Sequence, residues 1–240
     1  MGVGNDTVDI NETSAVDALK TVNLSGLTNY ATSTTKLQAA ANDTLTFNGG
    51  SGDDSVEVSG TTIASLKVIG DFGGGNLDKL TLGTNTTAIT GADSAVTIDI
   101  TKVTNVDSTE INFTNGATDM SDKALTIKGS ESNDQVTLKL LAATTKVKVD
   151  GDLGNQSGDE FTLDVTNAVA SVTHIDLSEL STTKGIIDIS ALTSVLADVK
   201  GTKGNDIITL GDKASTAKGE GISIDGGDGN DTFVFKDAAK

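Results

Sequence analysis

The stretch Leu45-Thr46-Phe47-Asn48-Gly49-Gly50-Ser51-Gly52-Asp53-Asp54-Ser55-Val56-Glu57 decides the fold. Apolar residues alternate with small polar ones on both sides of a glycine-rich, acidic turn, and period two with β-branched residues means strands. The glycines permit the positive φ a tight turn needs, and the aspartates close it.

Working outward, the same pattern returns. Leu125-Thr126-Ile127-Lys128-Gly129-Ser130-Glu131-Ser132-Asn133-Asp134-Gln135-Val136 aligns with it, as does the segment from Asp198 to Ile207 containing Gly201-Thr202-Lys203-Gly204-Asn205-Asp206. After each comes a second acidic loop: Gly70-Asp71-Phe72-Gly73-Gly74-Gly75-Asn76-Leu77-Asp78, Gly151-Asp152-Leu153-Gly154-Asn155-Gln156-Ser157-Gly158-Asp159, and Gly226-Gly227-Asp228-Gly229-Asn230-Asp231. Further strand-like runs are Ser65 to Ile69, Val96 to Ile100, Gln135 to Leu138, Phe161 to Val165, Ile186 to Ile189 and Ile207 to Leu210. Copies of one long repeat are the signature of a stacked architecture. The expectation is an all-β chain, a stacked parallel β-solenoid of β-roll-like repeats, with tandem β-sandwich domains as the alternative. Repeat phase divides it into segments 1–121 and 122–240, or leaves one continuous solenoid over 1–240. Short helical turns are expected at Ala15 to Lys20 and Leu37 to Ala41, where Ala and Leu cluster.

The chain carries 34 acidic residues against 17 basic ones, a net charge of −17. That balance argues against nucleic acid and makes cations the expected partner. With no Cys, disulfides and thiolate metal sites are excluded, and bound ions are another staple for such a chain. No run approaches the length of a membrane span. The N-terminus resembles no signal peptide, and the start and end within repeats suggest a piece of a longer protein.

The loops share Gly-x-x-x-(Asn/Asp)-Asp before a strand. Turned-in carbonyls and a closing carboxylate offer hard oxygen ligands, and stacked loops can share an ion. Calcium, which accepts six to eight oxygens in irregular geometry, suits them better than magnesium, and one His with no Cys supplies a transition metal poorly. The candidate ligands are Gly49, Gly50, Gly52, Asp53 and Asp54; Asp71 and Asp78; Asn133 and Asp134; Asp152 and Asp159; Asn205 and Asp206; and Gly226, Gly227, Asp228, Gly229, Asn230 and Asp231. No catalytic set is recognisable. His174 lies in an alternating run and reads as a structural or surface histidine, Asp93, Asp99, Asp107, Asp164, Asp176 and Asp188 as mostly solvent-facing strand residues, and the six Phe as core or stacking residues.

Gly49 to Glu57 and Gly226 to Val234 both match the nonapeptide Gly-Gly-x-Gly-x-Asp-x-apolar-x, and so resemble the calcium-binding repeats of RTX (repeats-in-toxin) proteins. The resemblance implies Asp54 and Asp231 as side-chain ligands, with carbonyls from the glycine turns. Here tens of residues separate the loops, whereas RTX toxins repeat them without interruption. With abundant Thr, Ser and Asp, the chain resembles RTX-related surface-layer (S-layer) proteins of Gram-negative bacteria. That implies type I secretion, folding on external Ca²⁺, self-association into a lattice on the cell surface, and attachment to cell-surface polysaccharide through other regions. A stalk or carbohydrate-binding repeat of an RTX adhesin and an accessory module of a secreted enzyme are the competing expectations.

Overall fold

Alternation places every second side chain of a strand on one face, and one apolar face per strand must be buried against another sheet. In the computed structural model this is met by two parallel sheets, visited alternately by the coiling chain. The structure describes residues 7–11, 21–27, 31–39, 42–59, 65–83, 89–91, 96–115, 124–130, 133–140, 146–166, 168, 172–193, 196–211 and 222–236. The first sheet stacks β1 (Thr7–Asn11), β3 (Thr32–Gln38), β5 (Asp53–Ser59), β7 (Lys79–Leu82), β10 (Ser108–Asn115), β12 (Gln135–Leu140), β14 (Glu160–Asp164), β16 (Lys184–Asp188), β18 (Asn205–Leu210) and β20 (Thr232–Phe235), with β8 (Ile89–Gly91) also on β10. The second stacks β2 (Thr21–Asn23), β4 (Asn42–Asn48), β6 (Ser65–Asp71), β9 (Val96–Thr104), β11 (Leu125–Lys128), β13 (Lys146–Asp152), β15 (His174–Ser181), β17 (Asp198–Lys200) and β19 (Ser223–Asp225). Each turn of the coil adds one strand to each sheet, except that the turn between β6 and β9 places both β7 and β8 on the first sheet, side by side along β10. This is the expected parallel β-solenoid.

Register makes the core a set of files. Val56 pairs with Leu80, Leu80 with Thr109, Thr109 with Val136 and Val136 with Phe161; one pleat further, Val58, Leu82, Ile111, Leu138 and Leu163 stack in the same way. In the facing sheet Val96, Leu125 and Val149 are neighbours. Phe47 and Phe72 are fully buried with ring centroids 4.9 Å apart. At the far end, Phe233 and Phe235 extend the files of Ile208 and Leu210 but are 41 % and 76 % exposed. Expected as core or stacking residues, they continue the core files but are exposed on β20, the last described strand.

Three sequence expectations need comment. Leu37 and Gln38 close strand β3, not a helical turn: Leu37 continues the alternation of Ser33 and Thr35 and is buried. Ala40, Ala41 and the turn expected at Ala15 to Lys20 lie outside the described residues, as does Asp93. Asp122 also lies outside them; strands on either side of it pair directly, β9 with β11 and β10 with β12.

The outward faces carry cross-strand charge pairs. Glu110 lies between Lys79 (3.1 Å) and Lys139 (3.0 Å), Lys184 meets Glu160 at 2.7 Å, and Lys200 meets Asp176 at 3.3 Å. His174 lies 3.4 Å from Asp198, a surface position as expected. Such partly exposed pairs contribute about 0–1 kcal/mol each, so the stacked core dominates stability.

The register predicts opposite outcomes for two neighbours on β12. Leu138→Ala, in a central file, is expected to cost about 2–5 kcal/mol in urea denaturation, and Thr137→Ala, on the outer face, less than about 0.5 kcal/mol. Equal effects would contradict the register.

Candidate functional site

The glycine-rich acidic loops all lie at one corner of the coil, where the chain passes from the second sheet to the first: 49–52 between β4 and β5, 72–78 between β6 and β7, 129–134 between β11 and β12, 153–159 between β13 and β14, 201–204 between β17 and β18, and 226–231 between β19 and β20.

The closing aspartate of five of the six loops occupies the inward position one pleat before the first core residue: Asp54 before Val56, Asp78 before Leu80, Asp134 before Val136, Asp159 before Phe161, Asp206 before Ile208; Asp231 holds the same place before Phe233 but is half-buried. All five are at most 2 % exposed. A buried carboxylate needs hydrogen-bond donors, and here main-chain N–H groups and hydroxyls of the coil supply them. Asp54 N–H donates to Asp78 Oδ1 at 2.7 Å, and Asp78 N–H to Asp107 Oδ2 at 2.7 Å. Asp134 N–H donates to Asp159 Oδ1 and Asp206 N–H to Asp231 Oδ1, both at 2.9 Å. These links join aspartates 24, 29, 25 and 25 residues apart. Within each loop the carboxylate also caps the turn. Gly50 N–H reaches Asp54 Oδ2 at 3.0 Å, Ser130 N–H reaches Asp134 Oδ2 at 2.6 Å, and Thr202 N–H reaches Asp206 Oδ2 at 2.5 Å. The Ser33 hydroxyl donates to Asp54 Oδ1. The result is a ladder of carboxylates along the corner, in the runs 54–78–107, 134–159 and 206–231, buried except at Asp107, which is exposed, and Asp231, which is half-buried.

The electrostatics are those of like charges drawn together out of water. Burial, reinforced by the charges of Asp54, Asp107 and Asp53, pushes the Asp78 carboxyl up to about 6 against the pull of the Asp54 N–H. Burial likewise raises Asp134 and Asp206, with Asp159 and Asp231 adding to it and the hydrogen bonds from Ser130 and Thr202 opposing.

The remaining candidates play other parts. The residue before the inward aspartate ties its loop to the next: Asp53 Oδ1 accepts from Asn76 N–H at 2.9 Å, and Asn205 Oδ1 from Asn230 N–H at 2.8 Å. Asn133 covers Gly158. Asp71 and Asp152 stay outside the ladder, exposed at strand ends, where each accepts the N–H two residues on: Gly73 at 3.0 Å, Gly154 at 2.9 Å. Asp225 does the same for Gly227. Gly73, Gly154 and Gly227 adopt φ of 93°, 103° and 90°, which explains the glycine in this Asp-x-Gly arrangement. Asp228 and Gly229 are exposed.

Sequence reading missed two features. Asp107 belongs to the ladder although its loop, 105–107, has no glycine; the signal was its place before the alternating run that starts at Ser108. Asp99, Asp164, Asp176 and Asp188 each accept both the N–H and the hydroxyl of the Thr or Ser two residues on, an Asp-x-(Ser/Thr) turn that was legible and passed over.

Among the described residues no three His, Cys, Asp or Glu side chains converge as a metal centre. What the corner does offer is oxygen against glycine. A Cβ on Gly49 would collide with Asp54 Oδ2 and the Phe72 carbonyl, on Gly201 with Asp206 Oδ2 and the Gly226 carbonyl, and on Gly129 with Asp134 Oδ2 and the Leu153 carbonyl at 2.9 Å. Each glycine thus lets a carboxylate and a carbonyl from the next turn approach one another, and that donor chemistry fits a hard cation. Comparison of the chain with protein-family models, curated proteins and solved structures found no match.

The raised carboxyls give a signed pH dependence. Without divalent cations the folded protein binds more protons than the unfolded chain between about pH 4 and 6 at Asp78, so stability is greatest below that window and falls as pH rises through it. Asp78→Asn keeps the amide oxygen for Asp54 N–H and removes the charge. In chelator at pH 7 it is expected to raise the melting temperature and flatten this slope; an unchanged slope would show that Asp78 does not titrate in the window. Glu110 runs the other way: burial raises it, but Asn112, Lys139 and Lys79 outweigh burial and bring it down to about 2, so its contribution is lost only as pH falls from about 4.5 towards 2.

Proposed function

We propose that this chain is a non-enzymatic structural segment of a bacterial surface-layer protein, a β-solenoid rod whose carboxylate ladder is neutralised by Ca²⁺ outside the cell. The observation that carries this reading is the file of inward carboxylates on one corner, where burial, with the charge of the neighbouring carboxylates, raises Asp78, Asp134 and Asp206. Asp54, Asp78, Asp134, Asp159, Asp206 and Asp231 would hold the ion, with main-chain oxygens of the glycine turns. Bound calcium supplies positive charge where the fold concentrates negative charge. At low calcium the same carboxylates oppose closure of the corner and keep the chain export-competent; at external calcium the opposition disappears. Each site at tenfold excess over its dissociation constant adds about 1.4 kcal/mol, so several together decide folding.

The rest of the molecule supports a load-bearing role. Two continuous sheets form a rod, the outer faces carry paired charges, and stability comes from repetition of one turn. Self-association into a lattice, secretion through a type I pathway and attachment to surface polysaccharide through other regions belong to the same reading.

Calorimetric titration of chelator-stripped protein with Ca²⁺ and with Mg²⁺, followed by circular dichroism on the same sample, tests it. Saturable calcium binding, a gain in β signal or melting temperature and little response to magnesium are expected. Asp134→Asn with Asp206→Asn should lower the number of ions bound. No binding, with melting indifferent to chelator, would reduce the ladder to a set of turn caps.

A further inference from the structure

The corner loops differ in length, and the difference makes a recess. Residues 72–78 lie on one side, Asn133 and the start of β12 on the other, and the loop between them is only 105–107. So short a reversal needs one residue in the left-handed region. Asn105 takes it, with φ 56°, the one non-glycine residue with positive φ among those described. Asn105 Nδ2 is anchored on Asp71 Oδ1 at 2.7 Å, which fixes the recess floor to the loop above. The hydrogen-bond ladder is interrupted here too: Asp107 N–H donates to the Asp78 carbonyl at 2.9 Å, and the next link starts afresh at Asp134.

The recess measures about 360 Å³ and is bounded by Gly73, Gly75, Asn105, Val106, Asp107, Asn133 and Gln135. Its size is that of a small-ligand pocket and well beyond a bare ion, since liquid water occupies about 30 Å³ per molecule. Its chemistry is mixed. Asn133 and Gln135 bring amide side chains to its rim, the Asn133 amide lying over Gly158, and neither has a hydrogen-bond partner among the described residues; Asp107 adds a carboxylate already held through Oδ2. Hydroxyl groups both give and accept hydrogen bonds, so neighbouring hydroxyls of one ring match an amide beside a carboxylate. An anion is disfavoured by Asp107 and the overall charge, and an apolar ligand has only Val106 to meet.

We propose that this recess is a binding site for a neutral polyhydroxylated ligand, one sugar ring of a glycan, gripped by Asn133, Gln135 and Asp107. It shares Asp107 with the carboxylate ladder, while the Gln135 amide at its rim lies outside that ladder, so Gln135 separates sugar binding from the calcium reading. Backbone amide NMR of the whole 240-residue chain in saturating Ca²⁺, titrated with methyl glucoside, methyl mannoside, methyl galactoside and N-acetylglucosamine, tests it. At least one sugar is expected to shift Gly73, Gly75, Asn105, Asp107 and Gln135 together. Gln135→Ala, exposed and at the start of β12, should weaken that sugar by about threefold to tenfold and leave the melting temperature unchanged. No shift at these residues from any of the sugars would overturn the proposal, as would sugar shifts that Gln135→Ala leaves intact.

Discussion

Everything in this molecule depends on in-register parallel stacking. In a coil that returns to the same pleat each turn, a residue cannot be buried alone; its counterparts on the neighbouring turns are buried with it. Apolar residues benefit, and Val58, Leu82, Ile111 and Leu138 share one continuous environment. Carboxylates do not, because stacking brings like charges together. The ladder of Asp54, Asp78 and Asp107 resolves part of the conflict through hydrogen bonds, each main-chain N–H lent to the carboxylate one turn on. The remainder persists as proton affinity at Asp78 well above that of a free carboxyl.

Much of this was legible in the sequence because period and repeat are sequence properties. The runs Leu45-Thr46-Phe47, Ser65 to Ile69 and Val96 to Ile100 are strands, and the recurrence of acidic loops announced stacking. The inward aspartates were also in view, since each closes a loop just before an alternating run. Their direction was not. Asp53 and Asp54 look alike in sequence, yet one ties loop to loop at the surface and the other is buried, because neighbouring strand residues face opposite ways. Asp107 is less visible because its loop carries no glycine, and only strand phase marks it as a corner residue. Leu37 was misassigned because Ala and Leu favour a helix in isolation, while pairing with Val58 decides its state here.

The corner also holds its own comparison between charged and uncharged turns. On β3 the file position before the core is Ser33, paired with Asp54; after Asp159 the equivalent place goes to Thr183, next to the buried Thr182. Ser33 donates to Asp54, Thr182 Oγ1 to the Lys184 carbonyl at 3.3 Å, and Thr183 Oγ1 to the Gln156 carbonyl at 2.6 Å. Hydroxyls therefore turn this corner without charge. At β16 the file even moves one pleat: Gly185 stands between Phe161 and Asp206, where a Cβ would collide with Asp206 Oδ1.

Closing the coil thus does not require a carboxylate in every turn, and where carboxylates stack, burial and mutual repulsion raise Asp78, Asp134 and Asp206. At neutral pH those charges subtract from stability relative to the serine or threonine that the same corner accommodates elsewhere. A fold built only for rigidity has a cheaper solution already in its own sequence. The carboxylates make physical sense when a counter-charge is available in one environment and withheld in another, since the groups that weaken the closed corner without a cation then make its closure conditional on one.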